Sequence, residues 1–371
     1  MQKFYTALLI LIFGVISCQK NSHADRWEIV SESDFKDLPF TKLKGTPMEV
    51  NSAELNTTYS ISVFDSLLII EKLVATPTFI EILSLKTGKS IGSFGTLGGG
   101  PLEFPTFIRP KLMNSKKGYI SITVPNDDGA YYEIPIASIL NKNLNELKRL
   151  YQFGPKNTVD VVNIGNGKFA ALSIGSEQRL VIVDTINSTI GGVFEYPFAD
   201  EMGIPKSRLG LAFQGYLLQH PTQNRLAIFD EWSPTWDIIG FDKNDFWSIY
   251  SNHLRPPIVQ DLSYQEGNVT SESIGVLLEN QMAFFSPSAT SEFIFTLYSG
   301  RNMAKWESAS DTPNTVIVFD WSGQVVNKFE LDRDVKCIAI SKDNKSLYAF
   351  VETIDKNQII KYDLPSIQAD E

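Results

Sequence analysis

Short apolar runs bounded by Gly, Asn, Asp and Pro recur along most of the chain, and a helix-period stripe is hard to find beyond the first twenty residues. Six runs resemble one another: residues 79–85, 130–136, 179–185, 235–242, 315–321 and 358–364. Their starts lie 51, 49, 56, 80 and 43 residues apart. A period of about 40–50 residues is what a four-stranded propeller blade occupies. The flanks agree. A turn and a further strand ending in an aromatic follow several runs, as at 87–94, 187–194 and 322–329. Strand pairs joined by tight polar turns precede others, as at 220–229 and 341–351. Each unit therefore reads as inner strand, second strand, third strand and outer strand.

Six such units predict an all-β chain, a six-bladed β-propeller. The sixth is incomplete, because only seven residues follow Leu364, too few and too polar for an outer strand. An N-terminal strand from residues 40–50 is expected to complete that last blade and remove its open edge. The 80-residue interval marks an insertion over 253–280, expected as a surface excursion with one short helix at 271–278. A pair of β-sandwiches would lack the long-range recurrence, and a β-helix would repeat about every 20 residues.

The N-terminus has a different pattern. Lys3, an apolar run over 4–15, and Ser17 before Cys18 make up a secretory signal. The run falls short of the roughly 20 residues that span a bilayer. Cys18 at the cut resembles the lipobox of bacterial lipoproteins, although Val15 and Ile16 stand where that motif favours Leu and Ala or Ser. The resemblance implies acylation of Cys18 as the membrane attachment. The expected organisation is a signal peptide over 1–17, a tether over 18–38 and a propeller over 39–371. After Cys18 come Gln19, Lys20, Asn21 and Ser22, without the acidic run that resembles a surface-export signal. The periplasmic face is expected over the cell surface.

Composition is that of a globular protein, and the 12% aromatic content leans toward β structure. A net charge of −10 without a Lys/Arg cluster argues against nucleic-acid partners and against electrostatic binding to anionic lipid. With Cys18 acylated, Cys337 has no partner for a disulfide. Its apolar neighbours predict a buried thiol acting as a small hydrophobe.

One stretch carries a family resemblance. Phe94, Gly95, Gly98, Gly100, Pro101, Glu103 and Phe104, preceded by Asp65-Ser66-Leu67-Leu68, resemble a motif of the TolB-like six-bladed propeller lipoproteins of Bacteroidetes. The resemblance implies the fold and an envelope location, and no biochemical activity.

Candidate chemistry is sparse. The glycine stretch is followed by a segment, 104–108, that reads as a strand and not as the helix a phosphate loop opens. It reads instead as a crossing between blades, with glycines at positive φ, and as a candidate partner-binding loop: Gly95, Gly98, Gly100, Pro101 and Glu103. His23, His220 and His253 have no zinc spacing, and no metal site or cofactor is predicted. Asp127 and Asp128 could offer oxygens to calcium, but Pro125–Gly129 is also good turn chemistry. Trp232, Trp236 and Trp247 are expected to pack between blades, whereas Trp306, in a polar loop, is a candidate contact.

Three functional readings follow. The first is a non-catalytic binding or scaffold propeller for a protein, peptide or glycan. The alternative is a calcium-dependent lactonase or esterase, which predicts Glu, Asp and Asn side chains converging on the axis. Carbohydrate binding through exposed coplanar aromatics is a third.

Overall fold

The structure is a computed structural model that describes residues 35, 38–50, 55–100, 102–106, 108–113, 118–124, 130–152, 158–243, 245–266, 269–271, 273–302, 313–353 and 356–367. Residues 31–371 form one compact unit. Within it are six antiparallel sheets, each with its first strand innermost. Blade 1 comprises Thr58–Phe64, Leu67–Lys72, Ile80–Ser84 and Ser90–Phe94. Blade 2 comprises Arg109–Met113, Tyr119–Val124, Ala130–Pro135 and Lys148–Gln152. Blade 3 comprises Thr158–Gly165, Lys168–Ser173, Leu180–Asp184 and Thr189–Val193. Blade 4 comprises Gly215–Gln219, Arg225–Asp230, Thr235–Phe241 and Phe246–His253. Blade 5 comprises Phe284–Ala289, Phe293–Tyr298, Thr315–Asp320 and Val325–Leu331. Blade 6 comprises Cys337–Ile340, Ser346–Val351 and Gln358–Asp363, completed by Thr46–Met48. All six runs read from the sequence are third strands.

The middle strands are apolar because both of their faces are covered. Successive side chains alternate between the two faces of a strand. In blade 1, Leu68 and Ile70 enter the cluster shared with blade 6, while Ile69 enters the one shared with blade 2. In blade 5, Ile317 and Phe319 face blade 4 while Val316 and Val318 face blade 6. Thr235–Phe241 and Phe293–Tyr298 are buried along their whole lengths. Cys337 lies in the interface of blades 6 and 1, and burial raises its thiol pKa far above the ordinary range.

The N-terminal segment does more than the expected closure. Thr46–Met48 pairs antiparallel with Gln358–Asp363, which completes blade 6. Just before it, Thr41–Leu43 runs parallel to Val325–Leu331 and gives blade 5 a fifth strand. Earlier still, Phe35 is buried between blades 4 and 5, edge-on to Tyr298 at 4.8 Å, near Trp236, Phe284 and Phe319. One short segment thus binds three blades together before the chain enters blade 1.

Other expectations change. Among the described residues, the insertion has a strand over Ile274–Val276 where a helix is expected at 271–278. Ile274–Val276 pairs with Val259–Asp261, and Tyr264–Glu266 pairs with Val269–Ser271. Ile274 is drawn into a separate apolar cluster with Tyr196, Leu209, Ala212 and Phe213, beside a short helix over Lys206–Ala212. The strand expected at 104–108 is short: Glu103–Phe104 pairs with Thr96–Leu97, and the inner strand of blade 2 starts only at Arg109.

Candidate binding site in the central channel

Five inner strands leave a cavity of about 560 Å³ on the propeller axis, a size suited to a small ligand or a side chain. The antiparallel registers fix its ends. Ser60 stands opposite Glu71, and Gly215 opposite Asp230, so inner-strand starts and second-strand ends share one mouth. The segments crossing from blade to blade arrive at that mouth. Tyr59, Arg109, Tyr216, Glu71 and Glu231 line it there, while Gly165 and His220 line the far end.

Most of the charge is already committed. The Lys111 ammonium pairs with Asp160 at 2.7 Å and also donates to the Leu217 carbonyl. Asp160 accepts the backbone N–H of Leu217 and of its neighbour Val161, both at 2.8 Å. Arg109 donates to the Val159 carbonyl at 2.6 Å. Glu133 accepts from the Tyr131 hydroxyl and from Asn163, both at 3.1 Å. Glu71 is 3% exposed and accepts from Ser62 at 3.4 Å. Burial pushes its carboxyl up to about 8.

Glu231 differs. Its backbone is held, with its N–H donating to Gln214 and its carbonyl accepting from Ala283. Its carboxylate forms no hydrogen bond or ion pair among the described residues, and burial pushes it up to about 7. Tyr59, on blade 1, and Tyr216, on blade 4, both feel its charge, and Tyr216 also feels Tyr59. Tyr59 keeps half its surface open to the channel, yet confinement holds its phenol above the ordinary range. The Tyr216 phenol is raised further, with desolvation the leading cause.

Behind Glu231 lies an ionic joint between blades 3 and 4. Arg179 is 3% exposed and donates to Asp237 at 2.7 Å and to Asp230 at 3.1 Å. His253 meets the other Asp237 oxygen at 2.8 Å. Desolvation alone would raise Asp237, but Arg179 and His253 outweigh it and hold its carboxyl down to about 2. Asp230 has the weaker contact and an unpaired buried Oδ1, so burial wins and raises it to about 7. This joint fixes the strand end that presents Glu231.

The cavity does gather Glu, Asp and Asn side chains, the feature the hydrolase alternative expects: Glu71, Glu133, Asp160, Asn163 and Glu231. No three His, Cys, Asp or Glu side chains come close enough to share a metal among the described residues. Channel serines are engaged: the Ser286 and Ser288 hydroxyls accept the N–H groups of Ile338 and Ile340 in blade 6. His220 Nδ1 accepts from the backbone of Thr222 and Gln223, leaving Nε2 to donate to Ser291. Burial lowers its pKa, and its ring packs on Trp321 at 4.7 Å.

The glycine stretch folds on itself. Glu103 accepts the Gly100 N–H at 2.8 Å, and a Cβ on Gly98 would sit 2.0 Å from the same carboxylate oxygen. Gly95 takes the expected positive φ of 77°, but the other left-handed residue is Leu102 at 70°, with Gly98 and Gly100 on the ordinary side. Phe104 is buried against Phe79, Phe94 and Tyr132. Glu103 therefore closes its own loop, while Phe104 plugs the joint of blades 1 and 2. Trp236 is buried and donates to the Gly323 carbonyl at 3.0 Å, as interblade packing requires. Trp247 departs from the expectation, standing half-exposed on an outer strand, and Trp232 is half-buried. Cys18, Pro101, Asp127, Asp128, His23 and Trp306 lie outside the described residues.

Residues 35–343 match the family described as TolB-like 6-blade propeller-like. Among solved structures, the chain is similar to a member of the DUF4221 family from Bacteroides vulgatus, at TM-score 0.52 and 12% identity. That match covers 88% of this chain and 97% of the other. It is also similar to U3-55K, at TM-score 0.48 and 10% identity, over 86% of this chain and 98% of that one. Identities this low speak of fold alone. No curated protein matches the sequence.

Proposed function

The chain belongs to the TolB-like six-bladed propeller family, and on that premise we propose that it is a lipid-anchored, non-catalytic binding propeller of the cell envelope. Cys18 is its acylation site, and the periplasmic face is its location. Its central channel receives a polar group of a protein, peptide or glycan partner.

The observation that carries this reading is the channel itself: five blades contribute polar side chains to one cavity of about 560 Å³, with an uncommitted carboxylate at its mouth. The loop at 95–103 is proposed as a second contact for the partner, with Glu103 as its brace. Peptide and glycan arrays probed with the full chain test the reading. Ser62, on the inner strand of blade 1, lines the channel. Ser62→Trp fills it, so partner signals should drop at least tenfold while the unfolding midpoint is kept. Array signals that survive this substitution would place binding elsewhere. The anchor has its own test: Cys18→Ser should abolish incorporation of a palmitate analogue and release the protein from membranes.

A further inference from the structure

We infer that the channel is a receptor for a protonated primary amine, with Glu231 as the carboxylate that meets it at the crossing-loop mouth. The inference rests on the channel reading above and specifies its ligand chemistry.

The partners of the channel's charged side chains lead to it. Glu71, Glu133, Asp160 and Glu231 line the cavity with Arg109 and Lys111, and burial keeps Glu71 protonated at neutral pH. Lys111 is neutralised by Asp160, whereas Arg109 donates to a neutral backbone carbonyl of blade 3 and keeps its charge, which Tyr59 also feels. Glu133 and Glu71 have donors from the protein. What remains is one carboxylate with no partner, flanked by Tyr59 and Tyr216 from blades on opposite sides of the axis. An anionic ligand there would face Glu231 and Asp160 together. A neutral polyol could use the phenols but would leave the carboxylate unneutralised. A cation satisfies both, because carboxylate and aromatic faces each attract positive charge.

Within that class, the shape of the site favours an ammonium over a guanidinium. An ammonium is a compact charge with three donors at the end of a flexible stem. Its donors can meet Glu231 and turn to other oxygen acceptors of the lining, whereas a guanidinium prefers a bidentate partner in one plane. Two sources share this chemistry: the side chain of a lysine on a protein partner, and a free diamine or polyamine.

Calorimetric titration of the full chain in detergent tests the assignment. The probes are cadaverine, N-acetyl-lysine methylamide, 1,5-pentanediol as the uncharged match and glutarate as the anionic one. At least one amine should bind saturably, with no heat from the diol or glutarate. Glu231→Gln should weaken the amine at least tenfold while its unfolding midpoint stays near that of the wild type. Tighter binding of cadaverine assigns a free polyamine, and tighter binding of the lysine derivative assigns a partner's lysine. Equal binding of the diol, no amine binding, or affinity unchanged by Glu231→Gln overturns the cation assignment. The channel reading fails separately, if Ser62→Trp leaves the array signals intact.

Discussion

At the scale of the residue, Glu71 and Glu231 show how the fold gives carboxylates unusual properties. Glu71 is the penultimate residue of its blade's second strand and Glu231 the first residue after its own, where an apolar run meets the channel. For Glu71 the sign of the pH effect is direct. Its carboxyl ionises near 4.5 in the unfolded chain and near 8 in the folded one. Its contribution to stability is therefore complete below pH 4.5 and is lost as pH rises toward 8. A shift in pKa is worth about 1.4 kcal/mol per unit, so stability should fall by a few kcal/mol across that window. Glu71→Gln keeps an acceptor for Ser62 and cannot ionise. Urea unfolding from pH 6 to 9 should show a smaller decline for the variant than for the wild type, and parallel declines would remove Glu71 as the cause. Neither glutamate was legible as a site residue, because only the assembled ring brings strand ends from different blades to one axis. A carboxylate closing an apolar second strand in both blade 1 and blade 4 was the available signal.

At the scale of the element, legibility followed burial. The third strands were readable because neighbouring blades cover both of their faces, which demands long apolar runs. The helices over Ile136–Leu140 and Lys206–Ala212 are only five and seven residues long, too short for a 3.6-residue period to register. The insertion misled in another way. Its apolar residues around Ile274 fit a helix or a strand equally, and pairing with Val259–Asp261 decided for the strand. The N-terminal strand was expected as a clasp on blade 6 alone. Phe35 and Thr41–Leu43 extend that clasp to blades 4 and 5 through tertiary contacts that have no local signature. Phe35 is 6% exposed among four aromatic neighbours. Removing such a ring costs about 3–5 kcal/mol in a packed core. Phe35→Ala should lower stability by about 3 kcal/mol in denaturant titration, and a change below about 1 kcal/mol would mean that the segment adds nothing to the joint.

At the scale of the whole molecule, six apolar interfaces close a ring around a polar axis. Closure removes the open sheet edges within the ring, and the rigid inner strands hold side chains from five blades around one cavity. The fold was legible at this scale because recurrence survives insertions such as the one before blade 5. The site was not, since its members lie up to about 170 residues apart, from Tyr59 to Glu231. An amine receptor on this axis and a metal site answer differently to thermal unfolding of the full chain in EDTA, in excess calcium and in excess cadaverine. A ligand at 100 times its dissociation constant adds about 2.7 kcal/mol to the folded state. The amine receptor gives a higher midpoint with cadaverine, abolished by Glu231→Gln, and no change with calcium. A calcium-dependent rise with no response to the diamine would contradict it and make the channel carboxylates a metal site.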